Sequence, residues 1–174
     1  RVFCLSRGLG DVYKRQSQDT PAPQHTAVSL SLSDEPTATA SYLQSRLGAT
    51  DLAIWDARSA EEYRGEKVQA ARGGHIPGAI NFEWTAGMDP ARGLRIRQDI
   101  AALLEQRGLS ADKEIITHCQ SHRRSGFTYL VAKALGYPRV KAYAGSWGEW
   151  GNLTDTPVAV SYTHLRAHET GRNL

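Results

Sequence analysis

EIITHCQSHRRSGFTYLVAKALGYP, residues 114–138, sets the reading of the whole chain. Its first five residues, centred on the β-branched Ile115, Ile116 and Thr117, read as a strand delivering Cys119 at its C-terminal end. A polar loop follows, and residues 125–135 then read as a helix with Phe127, Leu130, Val131 and Leu135 inward, stopped by Gly136 and Pro138. Downstream, VKAY at 140–143 is a last strand and SWGEW at 146–150 a closing turn of helix. Upstream, residues 98–107 place Ile100, Leu103, Leu104 and Arg107 at helical spacing, closed by Gly108. AINF at 79–82 reads as a strand reached through a loop containing Gly73, Gly74, Pro77 and Gly78. LAIWD at 52–56 is another strand, followed by a helix that Ser59 and Glu62 open as a capping box and Gly65 closes. Thr37 or Thr39 caps a helix through Tyr42, Leu43 and Leu47, ended by Gly48. Strands alternating with helices predict an α/β fold: an open, mainly parallel sheet with helices on both faces.

Residues 17–40 are rich in Ser, Thr and Pro and read as a linker, with Val28, Leu30 and Leu32 alternating as a short edge strand. The domain is expected over 41–158. The chain has 174 residues, room for one ordinary domain. No apolar run approaches the roughly 18 residues of a membrane span, so no membrane partner is expected. The pI of about 9.0 would suggest a nucleic-acid partner, but the charge lies at the ends. Residues 1–16 carry +3 and 159–174 carry +1, leaving −1 between them, so no nucleic acid is expected. The only Met is Met88, and both terminal segments lack the periodicity of packed structure; they read as translated sequencing-adapter read-through, the alternative being natural disordered termini. Setting them aside removes Cys4 and leaves Cys119 as the domain's one cysteine, which suits a reducing compartment and predicts a cytoplasmic protein.

In a sheet of this kind ligands bind beyond the carboxyl ends of the strands, where Cys119 stands. Gln120, Ser121, His122, Arg123 and Arg124 follow it and lead into a helix N-terminus. Such a loop turns consecutive N–H groups inward, and with the helix dipole and two arginines it favours thiolate over thiol. The plainer reading, a cysteine that is merely a small buried apolar group, does not account for the arginine pair. His118, Cys119 and His122 make poor tetrahedral metal ligands in so tight a loop, so no metal is expected.

Four blocks carry a family resemblance: DARSAEEYRGEK (56–67), GGHIPGAINFEW (73–84), ITHCQSHRRSGFTYLVAKALGYPRV (116–140) and GSWGEWGN (145–152). In order and spacing, from about Asp34 to Val158, the chain resembles the rhodanese family, in particular the C-terminal catalytic domain of bacterial two-domain thiosulfate sulfurtransferases. The resemblance implies a six-residue active loop, here CQSHRR, that moves sulfur from thiosulfate to cyanide or a thiol through a Cys119 persulfide, without a cofactor. It implies that amides of 120–124 hold the sulfur, that Arg123 or Arg124 binds the oxyanion, and that an N-terminal rhodanese domain belongs alongside. Two positions depart from the family pattern. His122 stands where many members have glycine, and Glu62 stands where vertebrate enzymes carry a substrate-binding arginine. A carboxylate there disfavours mercaptopyruvate as donor, as does a loop sharing only Cys119 and Ser121 with CGSGVT. A persulfide relay to a partner protein is the main alternative. A phosphatase is disfavoured because Arg124 gives Cys-x4-Arg rather than Cys-x5-Arg.

Other polar and aromatic residues have structural readings beside functional ones. Asp56 and Arg58 either tune the site or form a structural pair at a strand end. His75 is expected to fix a buried turn, and His118 to point to the face opposite the cysteine. Trp84, Trp147 and Trp150 read as packing, with Trp147 at the pocket rim, and Arg92, Arg95 and Arg97 as a solvated face.

Overall fold

The computed structural model describes residues 27, 29–31, 33 and 35–160, and the described residues from Ser33 to Val160 belong to the compact unit considered below. Five parallel strands make its sheet: β1 (Thr37–Ala38), β2 (Leu52–Asp56), β3 (Ala79–Asn81), β6 (Glu114–His118) and β7 (Val140–Tyr143), in the order β1-β7-β6-β2-β3. A two-stranded antiparallel ribbon, β4 (Met88–Asp89) with β5 (Arg95–Ile96), stands apart. The helices are α1 (Ala40–Ser45), α2 (Ala60–Arg64), α3 (Ile100–Gln106), α4 (Arg123–Ala134) and α5 (Ser146–Trp150).

Alternation along the central strands sorts the core into two layers. Ala53, Trp55 and Ile115 meet Ile100 and Leu104 of α3 and Val131 and Ala132 of α4 on one face. Ile54 and Ile116 meet Leu43 of α1 and Trp147 and Trp150 of α5 on the other. The expected two-faced α/β sheet is therefore the observed one. None of the helices among the described residues is long and apolar enough to cross a membrane.

Local signals act as the sequence indicates. Thr39 caps α1 by accepting from the Tyr42 N–H, and the Ser59–Glu62 capping box closes in both directions. Elsewhere the fold differs from expectation. Thr37 and Ala38, placed in the linker by composition, form the edge strand through backbone pairing with β7, where side-chain pattern has little say. Leu30 carries no strand, and Val28 and Leu32 lie outside the described residues, as do residues 1–16 and 161–174. Ala159 exchanges backbone hydrogen bonds with His75, one residue past the expected end of the domain.

The largest correction concerns α4, which begins at Arg123 rather than 125. Leu130 and Leu135 are exposed, and the buried side chains are Ser125, Thr128, Val131 and Ala132. Small residues let this helix lie close to the sheet, with the Thr117 hydroxyl donating to the Ser125 carbonyl. The two leucines face outward because the face carrying Ser125, Thr128, Val131 and Ala132 is the one that packs on the sheet.

Candidate active site

β6 ends one residue before Cys119, and the chain then folds into the tight loop that opens α4. The loop base is fastened by α5, the closing turn of helix, and by the residues around its start. Ser146 Oγ accepts from the Cys119 N–H at 3.3 Å and donates to the Tyr143 carbonyl. The N–H groups of Trp147 and Gly148 donate to the carbonyls of Cys119 and Gln120 at 2.9 and 2.8 Å. Gly148 is required there, since a Cβ would sit 2.9 Å from the Gln120 carbonyl oxygen.

Cys119 is 1% exposed. Burial pushes its thiol pKa up, but hydrogen bonds from the Ser125 hydroxyl and from the N–H groups of Ser125, Ser121 and Arg124 outweigh it and bring the pKa below the ordinary value. The thiolate thus occupies the place of an anion at a helix N-terminus.

The two loop arginines separate cleanly. Arg123 is exposed, whereas Arg124 is coupled to the Cys119 sulfur and forks onto Glu62 with contacts of 2.6 and 2.9 Å. Glu62 is 3% exposed. Burial alone would raise its pKa, but Arg124, the Ser59 N–H and Arg58 together bring it down to about 2. The residue whose role the sequence left open therefore holds the inward arginine. The pairing joins residues 62 positions apart, which no local motif announces.

The other loop side chains have different duties. Gln120 Nε2 donates to the Gln69 carbonyl, and Ser121 is exposed, its N–H turned to the sulfur. His122 adopts φ 61°, in the left-handed region, and its Nδ1 lies 2.8 Å from Ser125 Oγ. Burial pushes the His122 imidazole pKa down.

Asp56 and Arg58 are fully buried and paired at 2.6 Å, and Arg58 also donates to the Gly74 carbonyl. Trp147, expected at the pocket rim, is 1% exposed: the Arg58 guanidinium lies 4.5 Å from its ring centroid and its Nε1 donates to the Arg72 carbonyl. It is interior because docking α5 onto the loop turns its ring inward. His118 is buried beside Asp56, with Nε2 3.6 Å from the carboxylate, and burial pushes its pKa down. His75 Nδ1 donates to the Tyr63 carbonyl at 2.9 Å, and its ring stacks on the Tyr63 ring. Trp84 meets Phe127 edge-on. Arg92 and Arg95 are exposed, and Arg97 pairs with Asp99.

The arrangement can stabilise a thiolate, present it to an anionic sulfur compound and hold the product sulfur among amide donors. Comparison with known proteins agrees with that chemistry. The Rhodanese-like domain description matches residues 39–153. A thiosulfate sulfurtransferase of Azotobacter vinelandii is 72% identical over 142 residues, which cover 82% of this chain and 52% of that protein. A Thermus thermophilus protein named sulfur carrier protein TtuD is 42% identical over 116 residues, 62% of this chain and 41% of that one. Among solved structures, an anaerobic ergothioneine biosynthesis enzyme from Chlorobium limicola superposes with a TM-score of 0.67 at 25% identity, covering 74% of this chain and 32% of that one. The chain spans about half the length of the curated thiosulfate sulfurtransferases it matches.

Proposed function

The chain belongs to the rhodanese-like domain family, and from that premise we propose that it is a thiosulfate sulfurtransferase whose sulfur carrier is Cys119. The Cys119 thiolate attacks the outer sulfur of thiosulfate, an S–S bond forms at the cysteine, and the donor S–S bond breaks with its electron pair leaving on sulfite. Cyanide or a thiol then attacks the outer sulfur of the persulfide, and the pair returns to Cys119. Arg124 faces the incoming oxyanion with the donors that its fork on Glu62 leaves free. The observation that carries the reading is the buried Cys119 sulfur ringed by the N–H groups of 121, 124 and 125.

Glu62, buried and paired with Arg124, offers no cation to a donor carboxylate, which argues against mercaptopyruvate as donor. The Cys-x4-Arg spacing argues against phosphate. A second reading, relay of the persulfide to a partner protein, is supported by the likeness to a protein named as a sulfur carrier. The matched relatives' greater length supports a tandem protein with a preceding rhodanese domain, joined to this one through a linker that ends before the edge strand at Thr37. The domain's one cysteine, which must stay reduced to act, supports the cytoplasm. Thiocyanate formation from thiosulfate and cyanide tests the activity: the wild-type chain turns over and Cys119→Ser, folded to the same extent, does not. Turnover above background in that variant overturns the reading.

A further inference from the structure

Ser125 and His122 share a hydrogen-bond chain that ends on the Cys119 sulfur, and sulfur transfer as described above gives the His122 side chain no task. The Ser125 hydroxyl bonds to Cys119 while its oxygen lies 2.8 Å from His122 Nδ1. A hydroxyl has one proton and can donate to one of these neighbours at a time. With a proton on Nδ1, the ring donates to Ser125 Oγ and the hydroxyl is free to donate to sulfur. With Nδ1 bare, the hydroxyl turns to the ring and sulfur loses a donor.

The backbone points the same way. His122 is the N-cap of α4, yet its side chain caps no backbone N–H. An ordinary cap takes the N–H of the second or third helical residue, here Arg124 or Ser125. Those two N–H groups are directed to the sulfur instead, and the ring reaches past them to the hydroxyl. His122 also holds φ 61°, which a glycine would adopt with less strain, so the position bears a backbone cost while keeping an imidazole.

We propose that His122 and Ser125 are positioning residues: His122 donates from Nδ1 to Ser125 Oγ and thereby fixes the Ser125 hydroxyl as a donor to the Cys119 thiolate. The inference rests on Cys119 being the reacting thiolate. Burial keeps His122 neutral near neutral pH, so its tautomer decides the polarity of the chain. The other charged and titratable groups near the sulfur are Arg124 on α4, Glu62 facing it from α2, His118 at the end of β6, and the Asp56–Arg58 pair at the end of β2. None of them reaches Ser125 Oγ by a hydrogen bond among the described residues.

The test is the titration of Cys119 followed by thiolate ultraviolet absorbance in the full chain, with Cys119→Ser as blank. Ser125→Ala should raise the thiol pKa by about one unit, the scale of one hydrogen bond to a charged group, and His122→Gly, which leaves the hydroxyl in place but no longer fixed as a donor, by a smaller but resolvable amount. The double variant should titrate like Ser125→Ala alone, because both changes break one chain. His122→Asn, whose amide N–H stands near the position of Nδ1 and whose side chain tolerates positive φ, should titrate like wild type. Additive shifts, a wild-type titration in His122→Gly, or His122→Asn behaving like His122→Gly would each overturn the proposal. If Ser125→Ala fails to fold, the glycine and asparagine variants decide alone. The titration needs no sulfur donor, so its failure leaves sulfur transfer standing, and a chain that titrates as expected but accepts no sulfur would fail only the functional reading.

Discussion

Replacing Glu62 by Gln should destabilise the domain by an amount that vanishes in acid. Glutamine keeps a carbonyl to accept from the Ser59 N–H, so the capping box survives and the change isolates the charge opposite Arg124. The Glu62 carboxyl titrates near 4.5 when unfolded and near 2 in the native protein. That difference is worth about 3 kcal/mol at neutral pH by linkage. The Arg124 side chain is 26% exposed, so solvent screening trims the figure to about 2 kcal/mol. Between the two values the unfolded chain binds the proton that the native chain refuses, so lowering the pH costs the wild type stability. Its advantage is complete above about pH 5, reduced to about 1 kcal/mol near pH 3, and lost as the pH falls below about 2. For a domain of this size each kcal/mol moves the thermal midpoint by about 4 °C. Thermal unfolding should therefore separate the two proteins by about 8 °C at neutral pH and by about half as much near pH 3. A gap that stays constant across that range would show that Glu62 contributes shape rather than charge.

Arg124→Ala should slow attack on thiosulfate by roughly a hundredfold while slowing discharge of a preloaded persulfide much less, because the lost cation faces the incoming oxyanion; equal slowing in stopped-flow measurements of the two half-reactions would reject that role. Gly148→Ala should lift α5 from the loop base, since its Cβ would meet the Gln120 carbonyl oxygen at 2.9 Å, and should cost about 1–3 kcal/mol in denaturant unfolding together with faster decay of the Cys119 persulfide. Unchanged stability and persulfide lifetime would show that the contact relaxes freely.

The central strands, the Ser59–Glu62 box, the Thr39 cap and the strand-end position of Cys119 were all legible in the sequence because each depends on neighbours a few residues away. The buried face of α4 was not. Residue type points to Leu130 and Leu135, but the close approach of this helix to β6 selects Ser125 and Thr128. The support of the site was hidden for a related reason. Glu62 and Arg124, or Ser146 and Cys119, are brought together only when the whole sheet is assembled. Ser125 could have been noticed, as the first residue beyond the six-residue loop and the third of a helix whose dipole faces the sulfur, but only after α4 was started at Arg123. Trp147 was misplaced because a tryptophan near a site suggests a rim, whereas here its backbone N–H serves the loop and its ring covers Arg58 from within.

The most direct test of the account is the mass of the protein after exposure to thiosulfate. The intact chain should gain one sulfur atom, peptide mapping should place it on Cys119, and cyanide should remove it with release of thiocyanate. A chain that gains no sulfur, or carries it on Cys4 with Cys119 unmodified, would contradict the claim that Cys119 is the sulfur carrier.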